Sequence, residues 1–185
     1  MIGIILGATA VLLFLLWLAT SFNRLVRKRN QVADAWAGID VQLTRRATLV
    51  PNLVEVVKGY RDFERTTLES VVEARSNAVN AKGAGPAERG QVEQSVGGAL
   101  KTIFAVAEAY PDLQANKSFL SLQGELATLE EDIAFSRRYY NAQVRDFNTR
   151  QQTFPTLLLA KPLGFRTSEY FQADGDEREA PRAQL

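Results

Sequence analysis

The side chains available for chemistry in this chain are carboxylates, guanidiniums, amines and hydroxyls, because histidine and cysteine are both absent. Without cysteine there is no thiolate nucleophile, no disulfide and no zinc–thiolate site. Without histidine the commonest general base and transition-metal ligand are missing. Glu130-Glu131-Asp132 is a run of three acids. Consecutive helical positions point in different directions, and a hard cation needs oxygens converging from several segments, so the run reads as a solvated face beside arginines. Asp40 lies between Ile39 and Val41 at the edge of an apolar seam. A partly buried carboxylate needs a cation or several donors. Arg75 is the candidate partner, in an ion pair that fixes helix register, with ligand binding as the alternative. Gly83-Ala84-Gly85 lacks the preceding strand and the Lys-Ser/Thr pair of a phosphate loop. Asn116-Lys117-Ser118 fits a glycosylation sequon but reads better as a helix cap. No catalytic residue, cofactor site or metal site is therefore expected, and the chain is expected not to be an enzyme.

A fifth grouping is positional. The first 23 residues carry no charged side chain, and the next six include Arg24, Arg27, Lys28 and Arg29. Eleven of the eighteen residues from Ile2 to Ala19 are Leu, Ile, Val or Phe. As a helix these eighteen span about 27 Å and the whole uncharged stretch about 34 Å, against a hydrocarbon core of about 30 Å. A cleaved signal peptide has a basic n-region and a shorter apolar core, whereas only Met1 precedes this run. The segment reads as a membrane anchor. The basic cluster on its C-terminal flank predicts an outward N-terminus and a cytoplasmic soluble part.

Positioning everything else falls to helices. Leu25, Val32, Trp36, Ile39 and Leu43 step by seven, four, three and four, and Leu122, Leu126, Leu129, Ile133, Tyr140, Val144 and Phe147 continue in the same rhythm. No period-two alternation lasts long enough for a strand. Breaks at Arg46–Pro51, Lys82–Pro86 and Tyr110–Asp112 divide the soluble part into helices over 24–47, 49–81, 88–109 and 117–153. Short connections make successive helices antiparallel neighbours, giving an all-α antiparallel four-helix bundle with long helices after the single transmembrane helix. Thr48 is a cap for a new helix with Pro51 in its first turn. A single kinked helix running through residues 46–51 to residue 81 is the alternative to a hairpin there. Trp36, Ile39, Leu43, Val57, Leu126, Leu129, Ile133 and Val144 are expected to face inward.

Of the 185 residues, about 150 remain for one soluble domain. The expected division is anchor 1–23, helical bundle 24–171 and a polar, disordered tail 172–185. The stretch 155–171 is too short and broken to span; it packs on the bundle or lies at the bilayer interface. Net charge is +1 with charges dispersed, so no basic stripe suggests a nucleic-acid partner. Membrane lipids, another membrane protein and a second copy of the chain are the expected partners.

The residues also resemble a known family. Arg29-Asn30-Gln31-Val32, Ala35-Trp36, Ile39-Asp40-Val41-Gln42-Leu43, Leu49-Val50-Pro51-Asn52-Leu53-Val54-Glu55 and Val57-Lys58-Gly59-Tyr60 are similar to the opening signature of the LemA family. Glu73-Ala74-Arg75, Tyr110-Pro111, Ala115-Asn116, Tyr140-Asn141, Phe147-Asn148, Phe154-Pro155 and Gly164-Phe165 continue the resemblance, which covers about residues 20 to 171. Thr48 departs from it, standing where the family often has Asp. The resemblance implies a bacterial envelope protein with one N-terminal span, a helical bundle and no established enzymatic activity. It implies roles in membrane organisation, including organelle-membrane formation, or association with a membrane-embedded zinc protease. A membrane-anchored scaffold or adaptor at the bacterial inner membrane is the expected function, with a membrane-shaping oligomer as the alternative and a sensor or enzyme behind both.

Overall fold

The computed structural model describes residues 1–60 and 63–171. The chain is all-helical: α1 (Ile2–Lys58), α2 (Arg65–Asn80), α3 (Pro86–Ala107), the short α4 (Pro111–Gln114), α5 (Lys117–Gln152) and the short α6 (Leu157–Ala160). No strand occurs among the described residues. The expected tail, 172–185, lies outside them.

α1 is the dominant element, with 57 residues and a length of about 86 Å. Its N-terminal part is long and apolar enough to cross a membrane, and none of its most apolar window is buried by the rest of the chain. The core helix of a soluble protein would bury that surface. Helix and charge cluster are continuous, with no break at residue 23.

The expected hairpin at 46–51 does not form. Pro51 sits inside α1, and Thr48, expected as a cap, donates its hydroxyl to Thr44 O within the helix (3.0 Å). A proline in a helix interior leaves the carbonyl four residues earlier without its donor, here that of Ala47. Arg75 on α2 supplies the replacement: its Nε donates to Ala47 O at 2.8 Å. The chain instead reverses after Gly59. Tyr60 and Phe63 pin that turn to the far end of the molecule. The Tyr60 hydroxyl donates to Asp112 O (3.3 Å) and accepts from Asn116 Nδ2 (3.1 Å), and the Phe63 ring lies 5.2 Å from that of Tyr110.

The other two breaks fall where composition placed them. Gly85 and Pro86 open α3, and Pro111 opens α4. Asn116 caps α5, its Oδ1 accepting from the N–H groups of Ser118 and Phe119.

Buried apolar side chains form two clusters. The distal one joins Val50, Leu53 and Val57 of α1 to Val71 of α2, Leu100 and Ile103 of α3, and Phe119 and Leu126 of α5. The proximal one, nearer the apolar end of α1, joins Leu25, Val32, Ile39 and Leu43 of α1 to Leu129, Ile133, Tyr140, Val144 and Phe147 of α5. Seven of the eight side chains expected inside are buried, and Trp36 is half-buried against Tyr140 and Phe171. Contacts Lys28–Asp146, Trp36–Tyr140 and Arg46–Glu130 show α1 and α5 running in opposite directions.

Two helices leave a proximal core open on its flanks, and residues 165–171 close one of them. Gly164, at φ +78°, turns the chain back after α6, and Phe165 N–H donates to Ala160 O. The returning strap is held by side-chain amides. Asn148 exchanges two hydrogen bonds with the backbone of Ser168 (2.9 and 2.9 Å), and Asn141 two with Phe171 (3.0 and 3.0 Å). Seven helical residues rise about 10.5 Å and three extended ones cover about 10 Å, so both clamps engage in one register. Phe165 and Phe171 then fall into the proximal core.

Candidate functional site

Where the two cores meet, the seams carry charges. Along α1 the inward positions run Ile39, Leu43, Arg46, Val50, and along α3 they run Arg89, Glu93, Val96, Leu100, Ile103, all stepping by four and three. Arg46, Arg89 and Glu93 are buried. Arg46 donates from Nη2 to the Glu93 carboxylate and to Glu93 O (2.9 Å), and from Nη1 to Glu130 Oε1 (2.7 Å). Arg89 pairs with the other oxygen of Glu93 at 2.9 Å and donates to Ala78 O at 2.7 Å. That carbonyl lies in the last turn of α2, where the helix itself offers no donor. One network thus ties α1, α2, α3 and α5 together. Glu93 is the shared member: removing it would leave the buried Arg89 guanidinium without its close carboxylate, a loss of about 3–5 kcal/mol.

A cavity of about 260 Å³ opens beside the network, with Gly97, Lys101, Glu130, Arg137 and Phe171 among its walls. Its carboxylates face guanidiniums, and no group of three or more acids that could hold a metal ion occurs among the described residues. The arrangement is an electrostatic lock between helices. The strongly perturbed group nearby is the phenol of Tyr140, pushed up to about 12 by burial and then by the charge of Glu169. Its hydroxyl donates to Glu169 O (2.9 Å), which keeps it neutral and fastens the strap.

The pair expected between Asp40 and Arg75 is not present. Asp40 is half-exposed and its cationic neighbour is Arg89, at 3.9 Å, while Arg75 serves the carbonyl orphaned by Pro51. Asp40 is not among the residues lining the cavity. The acidic run is split: Glu130 joins the network, whereas Glu131 and Asp132 are exposed. The basic cluster is partly structural. Lys28 pairs with Asp146 (3.3 Å), the Arg29 guanidinium lies over the Phe165 ring (5.8 Å), Arg24 lines a cleft with α5, and Arg27 is exposed.

The network residues Arg46, Arg89 and Glu93 escaped sequence reasoning, although the signal was present. Each is a charged residue at a position where the heptad-like rhythm demands an apolar one, and Arg89 and Glu93 are an i, i+4 pair on the same stripe.

The LemA family profile matches residues 35–184. Protein LemA of Metamycoplasma hominis is 32% identical over 158 residues, which are 84% of this chain and 71% of that protein. Magnetosome protein MamQ 2 of Paramagnetospirillum magneticum is 24% identical over 192 residues, covering 91% of this chain and 71% of the relative. Magnetosome protein MamQ of Magnetospirillum gryphiswaldense is 22% identical over 190 residues, covering 90% and 70%. With a buried-charge helical body, an apolar leading helix and a match over most of its length, the chain belongs to the LemA family.

Proposed function

We propose that this protein is a non-enzymatic, membrane-anchored scaffold or adaptor. The observation that carries the reading is the continuity of α1. One helix runs from the apolar segment through Pro51 to Lys58 with no linker, so the helical body is held at a fixed height and orientation over the bilayer. In this reading α1, α2, α3 and α5 act as one antiparallel four-helix bundle locked by the Arg46–Glu93–Arg89 network. The anchor crosses the bacterial inner membrane with its N-terminus outside and the bundle in the cytoplasm, as the basic flank favours. The rigid body then presents exposed aromatic side chains to a partner: Phe135 and Tyr139 lie one helical turn apart on α5, 65% and 50% exposed. The partner is a second membrane protein, for which the family resemblance supplies a membrane-embedded zinc protease as candidate, or another copy of the chain.

Replacing Phe135 by a photoreactive phenylalanine in the full-length protein tests this in living cells. Crosslinking to a defined membrane protein or to a second copy is expected. Irradiation that yields no protein adduct at Phe135 or at Tyr139 would contradict the adaptor reading. A membrane-shaping oligomer is the second reading, favoured by exposed Phe154 and Leu158 beside the anchor. Remodelling of liposomes by the purified protein alone would favour it over the adaptor.

A further inference from the structure

The turn between α5 and the strap folds back against the foot of the anchor. Trp17 and Ser21 of α1 line a cleft of about 570 Å³ with Phe154 and Pro155, and the Phe22 ring lies 5.7 Å from that of Phe165. Trp17 lies five residues, about 7.5 Å, before the last apolar residue of the uncharged run, Phe22. The turn therefore reaches the depth at which an anchor meets the headgroup layer, where amphipathic rings such as that of Trp17 concentrate. Its outward side chains suit that depth: Phe154 is 76% exposed and Leu158 63%. Such surface is unfavourable in water and favourable at the headgroup–acyl boundary.

The lower wall of the same cleft is cationic. Arg24 and Lys28 come from α1, and Arg145 and Arg150 from α5. Asp146 neutralises Lys28. Arg24, Arg145 and Arg150 have no ion-pair partner among the described residues, so the cleft holds an excess of three positive charges. Thus apolar groups lie at acyl depth and unpaired guanidiniums about two turns below. Guanidiniums bind phosphate oxygens bidentately.

We propose that this cleft binds the headgroup phosphate of an anionic phospholipid, with the acyl chains running beside Trp17 and Phe154. The inference rests on the reading of Ile2–Phe22 as a membrane span. It makes the α5–strap turn a second contact with the bilayer, which would fix the rotation of the body about the anchor as well as its height.

The test reconstitutes the full-length protein in phosphatidylcholine nanodiscs doped with an equal small fraction of brominated phosphatidylglycerol or brominated phosphatidylcholine. Bromine quenches tryptophan at short range, and Trp36 lies about 28 Å along α1 from Trp17, so quenching reports on Trp17. A cation near an anionic lipid surface contributes a preference of roughly fivefold. The brominated anionic lipid is expected to quench several-fold more strongly than the zwitterionic one. That preference should fall roughly fivefold or more in the double variant Arg145→Gln/Arg150→Gln, which leaves Arg24 as the single excess cation and whose two sites are exposed. Equal quenching by both lipids overturns the headgroup site while upholding the span; no quenching by either overturns the span as well. A preference that persists in the double variant assigns it to Arg24–Arg29 alone, and displacement by inorganic phosphate assigns the cleft to a free anion. Either result overturns the proposal.

Discussion

The two cores of this protein solve the same burial problem with different parts. The distal core is enclosed by four helices together with Tyr60 and Phe63, and along α2 and α3 its buried residues step by three and four. The proximal core has α1 and α5 as its long walls, and an extended strap supplies the missing side through two asparagine clamps. A helix face can be buried by any complementary helix, so the distal half depends on volume and pattern. An extended segment has unpaired backbone groups that must find partners, so the proximal half depends on particular amides at particular positions. Between the halves lies the Arg46–Glu93–Arg89 network, which belongs to both.

That network gives the sharpest way to break the comparison. Glu93→Ala leaves the buried Arg89 guanidinium without its close carboxylate and Arg46 with Glu130 alone, and is expected to cost about 3–5 kcal/mol, read as a lowered denaturation midpoint of the full-length chain in detergent micelles. A leucine at position 93 would not relieve it, because the arginines remain. If the halves are coupled through the network, hydrogen exchange in Glu93→Ala should quicken in both; quickening in the distal half alone would show that the lock does not reach the proximal core.

Arg75 offers the next largest effect and a cleaner control. Arg75→Ala leaves the Ala47 carbonyl unsatisfied and should cost about 1–3 kcal/mol. In a Pro51→Ala background α1 recovers its own donor, so the same substitution should cost less than half as much. A double-mutant cycle with no coupling would mean that Arg75 does not compensate the proline.

The proximal half should respond to its clamps in proportion. Asn148→Ala and Asn141→Ala remove two backbone partners each and are expected to cost about 1–2 kcal/mol apiece. Faster amide exchange should be confined to Ser168 and Phe171 and their strap neighbours, with the distal core unaffected. The smallest effect is a pH dependence. The Tyr140 phenol is raised from 10.0 to about 12, so folding favours its protonated form. Its contribution is fully present below pH 10 and disappears as pH rises toward 12. Tyrosinate absorbance should show a late step near pH 12, and Tyr140→Phe should remove it.

Sequence legibility follows the same division. The apolar N-terminal helix, the all-helical class, the breaks at 82–86 and 110–112, and the inward stripe were readable because each is a local property: charge absence, period, or Gly and Pro content. The reversal at 46–51 was misplaced because Pro51 is locally a helix breaker, and the guanidinium that rescues it lies 24 residues further on in another helix. Asp40 was assigned the wrong cation for the same reason, since Arg75 was already engaged. The network was legible in principle as charges at apolar positions. The strap was not, because nothing in the spacing of Asn141 and Asn148 announces that their amides will hold an extended chain.

The proposed scaffold requires α1 to be one rigid strut from bilayer to distal core, and the absence of cysteine makes that directly measurable. Spin labels at Asn30→Cys and Glu55→Cys, both exposed positions on α1, can be placed in the full-length protein in nanodiscs and their separation read by pulsed dipolar spectroscopy. A continuous helix places the two backbones about 38 Å apart, and the expected result is a single narrow distribution near that value. A hairpin at residues 46–51 would bring them to about 20 Å, and that distance, or a broad distribution spanning both, would contradict the strut.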